Sequence, residues 1–368
     1  MKQNLAIIGA SYLQLPLIET AKQMGYTTHV FAWAAGDVGE AAADYFYPIS
    51  IVEKESILET CKQIGICGIC SIASDLAMIA VNYVAEELGL VGNSMTATTK
   101  STNKHLMRKA FEANGDPSPK SILVDANTAL DALDLTYPVI VKPTDRSGSR
   151  GIYKVTSPVD LEQAVRASLQ EGFEHKVLIE EFAEGQEYSV EYLSYRGEHH
   201  FLALTHKYTT GAPHFIETGH LQPAPVCEET LANVQAVVEH ALDTLELKNG
   251  ASHSEVKIDE NGKIRIIEIG GRMGGDCIGS DLVRYSTGRD FVKMVIDVAT
   301  GHAPDFTCVY PPHPVAVKFI FTQEDLLDFE KMQAQEPERI LKVVDLHPEN
   351  IGSITDSSNR AGCYIYRP

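Results

Sequence analysis

The chain has 368 residues and a net charge of −19, with the charged (22%) and apolar (44%) fractions of an ordinary globular protein. That length exceeds a single core and predicts two or three domains. The acidity argues against a nucleic-acid partner, which needs a basic patch, and no apolar run reaches the roughly 20 residues that span a bilayer. The start MKQNLAIIGA has neither a secretory h-region nor a cleavage site, so a cytoplasmic protein with no membrane partner is expected.

In chain order, the apolar run 4–9 predicts a first strand ending at Gly9. A helix over 15–24, a strand over 28–32, a strand and helix within 46–62, a strand over 66–71 and a helix over 75–88 follow. Such strand–helix alternation marks an open parallel sheet, so residues 1–93 read as a Rossmann-like domain. No GxGxxG follows the first strand and no acid ends the second, so NAD binding is not expected. Cys67 and Cys70 form a CxxC inside the fourth predicted strand. With no second pair or His cluster at zinc spacing, all seven cysteines read as reduced thiols.

Small and polar residues at 91–99 mark a boundary. A helix over 100–114 follows, stopped by Gly115, Pro117 and Pro119. Strands at 121–124 and 138–142 flank a short helical stretch at 127–134. The second strand delivers Lys142 at the end of a buried Val-Ile-Val run, where an ammonium needs an anion. The loop 144–151 then holds Ser147, Gly148 and Ser149, whose N–H groups can form a nest for phosphate oxygens, although GxxxxGK[ST] occurs nowhere.

A strand at 152–155, a helix at 159–171 and a strand at 177–180 lead into Glu180-Glu181-Phe182, a strand end that offers backbone donors and acceptors to an adenine edge. Glu187 can accept hydrogen bonds from two ribose hydroxyls, whereas Glu184 reads as a solvated acid. Strands at 188–194 and 201–206 meet in a hairpin at Arg196-Gly197, and His199, His200 and His206 read as structural. An irregular stretch spans 208–226, helices cover 228–245 and 289–300, and 303–368 is a small mixed piece with a strand at 315–321.

The most informative segment lies between those last two helices. Two strand-forming runs, 253–260 and 263–269, are joined by Asn261-Gly262, the dipeptide of a two-residue hairpin turn. Counting outward from that turn puts Glu255 opposite Glu268 on one sheet face. Like charges so placed repel, but a divalent cation makes them a ligand pair, and paired carboxylates facing nucleotide phosphates commonly hold magnesium. The alternative is an edge hairpin with two solvated acids.

These residues stand in a recognisable order. Lys104 on an opening helix, Val141-Lys142-Pro143 with its Gly/Ser loop, Glu180-Glu181-Phe182 with Glu187, and Glu255 with Glu268-Ile269-Gly270-Gly271-Arg272 follow the sequence of motifs in the ATP-grasp carboxylate–amine ligases. The chain resembles that family over nearly its whole length. Its Gly-Arg-Met-Gly-Gly run at 271–275 resembles in particular the branch that includes bacterial L-amino acid ligases, which make dipeptides.

The resemblance implies a multidomain α/β and α+β fold. A Rossmann-like domain (1–93) would precede an ATP-grasp domain (94–302) whose two α+β subdomains grip ATP, with a lid at about 120–185, and a C-terminal piece (303–368) would pack on it. ATP and Mg²⁺, or Mn²⁺, are the implied cofactors, with Glu255 and Glu268 holding metal and Lys104 and Lys142 holding phosphates. Small-molecule carboxylate and amine substrates are the implied partners, and such relatives are commonly homodimers. Many members carry Asn two residues after the second metal glutamate, where this chain has Gly270. Two carboxylates, phosphates and water would then complete the magnesium shells.

The implied chemistry is amide formation. A carboxylate oxygen is a poor leaving group, so ATP first converts it to an acylphosphate, which an amine attacks to give an amide or dipeptide with ADP and phosphate. Such a step needs charge neutralisation around the transferred group more than covalent help. Arg272, flanked by glycines, suits a carboxylate or acylphosphate bidentately and takes a catalytic role. Glu217 and His220 match the family segment that faces the amino-acid site, Glu217 to bind a substrate ammonium and His220 to orient or deprotonate the attacking amine. The alternatives are another ATP-grasp ligase of the purine-biosynthesis or biotin-carboxylase kind, a non-catalytic ATP-binding protein of the same fold, and, disfavoured by the missing motif, an NAD-linked oxidoreductase.

Overall fold

Apolar runs covered on both faces build the first sheet. In the computed structural model, which describes residues 2–146, 150–211, 216–352 and 360–368, strands β1 (Asn4–Ile8), β2 (Thr27–Phe31), β3 (Tyr45–Tyr47) and β4 (Gly68–Cys70) run parallel in the order β3-β2-β1-β4. Helices α1 (Leu15–Gln23), α2 (Val38–Ala42), α3 (Lys54–Ile64) and α4 (Asp75–Leu88) accompany them. Alternate residues of β1 point to opposite faces, so Ala6 and Ile8 pack on α3 and α4 while Leu5 and Ile7 pack on α1. Cys67 and Cys70 are free thiols, and burial pushes Cys70 up to about 12.

The helix expected over 100–114 is two helices, α5 (Met95–Thr102) and α6 (Lys104–Asn114). Asn103 leaves helical geometry (φ −110°, ψ 112°) and its side chain accepts hydrogen bonds from the His105 and Leu106 N–H groups. Asparagine caps a helix better than it propagates one, because its amide competes for nearby backbone donors. The break puts Lys104 at the first position of α6. Ser94 caps α5, so part of the polar stretch read as a boundary is already helical.

Strands β5 (Ser121–Val124), β6 (Val139–Pro143), β7 (Tyr153–Val155) and β8 (Val177–Glu181) form a second, antiparallel sheet in the order β5-β8-β6-β7. Its core is Val139, Val141 and Val177 against Leu161, Ala164 and Val165 of α7 (Leu161–Glu171).

The third sheet joins β9 (Gln186–Tyr195), β10 (Glu198–Thr209), β11 (Glu217–Gln222), β12 (Gly250–Ile258), β13 (Ile264–Gly270), β14 (Val315–Phe319), β15 (Ile340–Val344) and β16 (Cys363–Tyr366). They run antiparallel in the order β13-β12-β9-β10-β11-β14-β16-β15. One face packs Val190, Tyr192, Val256 and Ile266 on α6 and α8 (Glu228–Thr244). After a π-helical turn come α9 (Val283–Thr287) and α10 (Phe291–Ala299), and α11 (Gln323–Gln335) follows β14. Through α10 the other face shares one core with the first sheet, Leu193, Leu202 and Ala203 meeting Phe291, Val295, Leu5 and Ile7.

Two expectations change here. The stretch 208–226, read as irregular, contains β11, which is bonded to β10 on one side and β14 on the other. Its residues, ETGHLQ, lack the alternation of large apolar side chains that announces a strand. The terminal strands β14, β16 and β15 extend this same sheet rather than forming a separate layer. Among the described residues, no helix is long and apolar enough to cross a membrane.

Candidate active site

Glu255 does lie directly opposite Glu268, but by a different route from the one the sequence suggested. The turn is wider than two residues. Ile258 pairs with Ile264, and the Asp259 carboxylate accepts the N–H groups of Asn261 and Lys263, with only Gly262 at positive φ (+77°). That turn shifts the register by one, and a β-bulge between Val256–Ile266 and Glu255–Glu268 shifts it back. The bulged Ile267 gives its carbonyl to Arg108 at 2.6 Å. Ile264 and Ile266 therefore face the core while Glu268 turns to the cleft beside Glu255.

Each carboxylate already has a cation. Oε1 of Glu268 receives Nζ of Lys104 at 2.7 Å, and Oε1 of Glu255 receives Nζ of Lys207 at 2.5 Å. Lys207 comes from β10, is 3% exposed, and also lies 2.8 Å from Glu187 and 3.7 Å from Glu217. Burial opposes its charge, but Glu187, Glu255 and Glu217 hold its pKa well above the ordinary lysine value. Burial likewise opposes the Glu255 anion, yet Lys207 and His253 hold it well below the usual carboxylate range.

The adjoining slot, about 120 Å³, lies between the second and third sheets and is lined by Ile140, Lys142, Ile152, Phe182, Glu187 and Ile267. The Glu180 side chain is turned inward, held by Lys142 at 2.7 Å and Arg108 at 2.8 Å. Burial lowers the Lys142 pKa against the pull of Glu180, while Arg108 and Lys142 keep Glu180 ionised despite burial. In the strand end beyond, the Glu181 N–H donates to Lys120 O (3.0 Å) and the Phe182 N–H to Pro138 O (3.3 Å). Lys154 and Lys257 sit 3.7 and 5.0 Å from the Phe182 ring centre. Ser147, Gly148 and Ser149 lie outside the described residues.

A larger cleft of about 510 Å³ continues past the carboxylate pair and brings Arg272, Glu217 and His220 together with Lys104, Glu255 and Glu268. Arg272 makes a bidentate pair with Asp75, at 2.9 Å on both arms, from the first turn of α4. The same Asp75 accounts for Gly270, since a Cβ there would collide with its carboxylate. His220 is buried, neither ring nitrogen has a hydrogen bond among the described residues, Nε2 stands 4.0 Å from the Asp276 carboxylate, and burial pushes its pKa down to about 3. Arg360 reaches in from the end of the chain, giving NH2 to Glu217 (2.8 Å) and NH1 to Asp276 (2.9 Å) with its guanidinium stacked on Phe319. Asp276 and Cys277 hold positive φ (+51° and +63°), which turns the chain sharply behind the glycines.

Sequence reading missed Lys207, Asp75, Asp276 and Arg360, together with the buried pair Glu191 and His253, in which Gly274 N–H donates to Glu191 at 2.9 Å. Burial disfavours the His253 imidazolium, but Glu191 beside it pushes the pKa up to about 9. Asp75 carried one weak signal, an acid after a capping Ser74, which by itself describes any helix start. The others become visible only when strands far apart in sequence are paired.

A grip of two α+β layers over such a cleft defines an ATP-grasp protein. The ATP-grasp domain model matches residues 135–281. A D-alanine–D-alanine ligase from Paracidovorax citrulli is 30% identical over 239 residues, 61% of this chain and 70% of that relative. The chain belongs to the ATP-grasp family. It is also similar to the alanine–anticapsin ligase of Bacillus subtilis strain 168, at 26% identity over 299 residues, covering 71% of this chain and 62% of that protein, so it spans less than two thirds of that relative's length. Among solved structures, the L-amino acid ligase from Bacillus licheniformis shares the fold with a TM-score of 0.83 at 24% identity, covering 99% of this chain and 93% of that one.

Proposed function

We propose that the protein is an ATP-dependent, ADP-forming carboxylate–amine ligase that activates a small carboxylate, an amino acid by the look of the pocket, for attack by an amine. The observation that carries this reading is the cross-strand pair Glu255–Glu268, facing a cleft with Lys104, Lys207 and Arg272 around it.

The residues fit a magnesium nucleotide. Two opposed carboxylates, both within reach of lysine ammoniums, are a hard oxygen donor set, and the adjoining slot combines apolar walls (Ile140, Ile152, Phe182, Ile267) with lysines Lys142, Lys207 and Lys257 among paired glutamates. Magnesium, when bound, neutralises charge on the transferring phosphoryl group. In this reading Glu255 and Glu268 hold the metal. Lys104, Lys142 and Lys207 hold phosphate oxygens, and Glu187 takes the ribose hydroxyls. Arg272, locked in one orientation by Asp75, would hold the substrate carboxylate and then the oxyanion that forms when the amine attacks the acylphosphate. Only what is bound more tightly in that state than in the ground state speeds the step.

At the other end, Glu217 and Asp276 share the Arg360 guanidinium, and Lys207, 3.7 Å from Glu217, is already held by Glu187 and Glu255, so acids outnumber cations and suit a substrate ammonium. His220 is kept neutral by burial, so its unprotonated ring nitrogen can accept a hydrogen bond from the attacking amine and orient it. The direct test is phosphate release from ATP and Mg²⁺ with amino acids offered singly and in pairs, followed by mass spectrometry of the product. A full screen without phosphate release would remove the ligase reading.

A further inference from the structure

A buried pair beneath the glycine-rich turn has no part in the chemistry so far. Glu191 of β9 and His253 of β12 are direct cross-strand neighbours on the cleft face. Glu191 is 0% exposed, a position a carboxylate tolerates only when its oxygens are bonded. One oxygen meets Nδ1 of His253 and the other accepts the Gly274 N–H at 2.9 Å. The second ring nitrogen, Nε2, stands 3.6 Å from Oε1 of Glu255, the same oxygen that Lys207 holds. A Cβ at Gly274 would lie 2.7 Å from both Glu191 Oε1 and His253 Nδ1, so the pair fills the space that a side chain on the turn would need.

We infer that Glu191 and His253 are positioning residues for ligation. One carboxylate oxygen anchors the turn that carries Arg272 and Asp276, and the other orients the imidazole that fixes Glu255. The inference rests on the ligase reading above. A buried acid that orients an imidazole, which in turn orients a working group, is a recurrent way to hold a site to a fraction of an ångström. A carboxylate accepts from Nδ1 and from the Gly274 N–H at once, and so fixes which ring nitrogen carries hydrogen. An amide at 191 can still take the Gly274 N–H, but it presents its own N–H to Nδ1, which reverses that bond and changes what the ring offers to Glu255 through Nε2.

Glu191→Gln therefore separates the two arms. Its kcat for ATP-dependent phosphate release should fall at least tenfold while the amino-acid KM stays within twofold, because the turn is still held. His253→Asn should do the same. The double variant should lie within twofold of the slower single, since the two residues act as a unit. A readout independent of turnover is calorimetric ADP binding with and without Mg²⁺. The gain in affinity from the metal should shrink at least threefold in Glu191→Gln, with metal-free ADP affinity unchanged.

Rate losses that multiply in the double variant, or an unchanged metal gain in a folded Glu191→Gln protein, would overturn the inference. Should Glu191→Gln not fold, His253→Asn carries both measurements. If the wild type releases no phosphate, the ligase reading fails with the role in ligation, and the ADP measurement still decides whether the pair positions Glu255.

Discussion

The two ends of the cleft treat charge differently. At the nucleotide end, the described acids and bases are interlocked. Glu180 sits between Arg108 and Lys142, Lys207 touches Glu187 and Glu255, and Glu268 faces Lys104. At the proposed substrate end, Glu217 and Asp276 share Arg360, with Lys207 farther off at 3.7 Å from Glu217, and His220 makes no hydrogen bond among the described residues, its Nε2 standing 4.0 Å from Asp276. A buried ion network is rigid but hard to alter, because removing one member strands another. The second end holds more acid than base and keeps one imidazole neutral, which on the proposed reading is where a substrate ammonium would be accommodated. On the proposed reading, one end would hold a constant reactant and the other a variable one.

The largest expected effect tests the interlocked end. Glu268→Gln should lower ATP-dependent product formation by about a thousandfold or more while the thermal midpoint moves by only a few degrees. Wild-type turnover in that variant would break the metal assignment. Next comes Arg272→Ala, expected to lose about a hundredfold in kcat/KM, equivalent to about 3 kcal/mol, with ADP affinity by calorimetry within threefold of wild type. Equal losses would make Arg272 a nucleotide-binding residue. Asp75→Asn keeps one hydrogen-bonding arm on Arg272 and should cost about tenfold in kcat. If it leaves kcat untouched, the first domain plays no part in positioning that arginine.

The smallest effect concerns the free imidazole. His220 has its folded pKa pushed down to about 3, below the ordinary 6.5 of the unfolded chain. Between those pH values the unfolded state binds a proton that the folded state refuses, so the His220 contribution to stability is lost as pH falls from about 6.5 toward 3. Denaturant melts at pH 7 and pH 5 should show a smaller drop for His220→Asn than for the wild type. An equal drop would mean that His220 ionises normally in the folded protein.

Local signals in the sequence were enough for the strand–helix alternation of residues 4–88, the Lys142 strand and the opposition of Glu255 to Glu268. These depend on near neighbours and on a period of two or about four residues. Even there the agreement hides compensation, because the wider turn and the Ile267 bulge each move the register by one, in opposite senses. The break at Asn103 was not anticipated, because a single helix was expected over 100–114, although its cause is local: a side chain reaching two and three residues ahead.

What the tertiary structure alone decided is which distant residues share a charge. Asp75 reaches Arg272 across 197 positions, Arg360 reaches Glu217 across 143, and Glu191 finds His253 across 62. Periodicity says which face a side chain occupies, but not what will stand opposite it once sheets pack. A buried charge is tolerated only by that opposite partner, so pairing and packing, rather than any local pattern, set the electrostatics of the site.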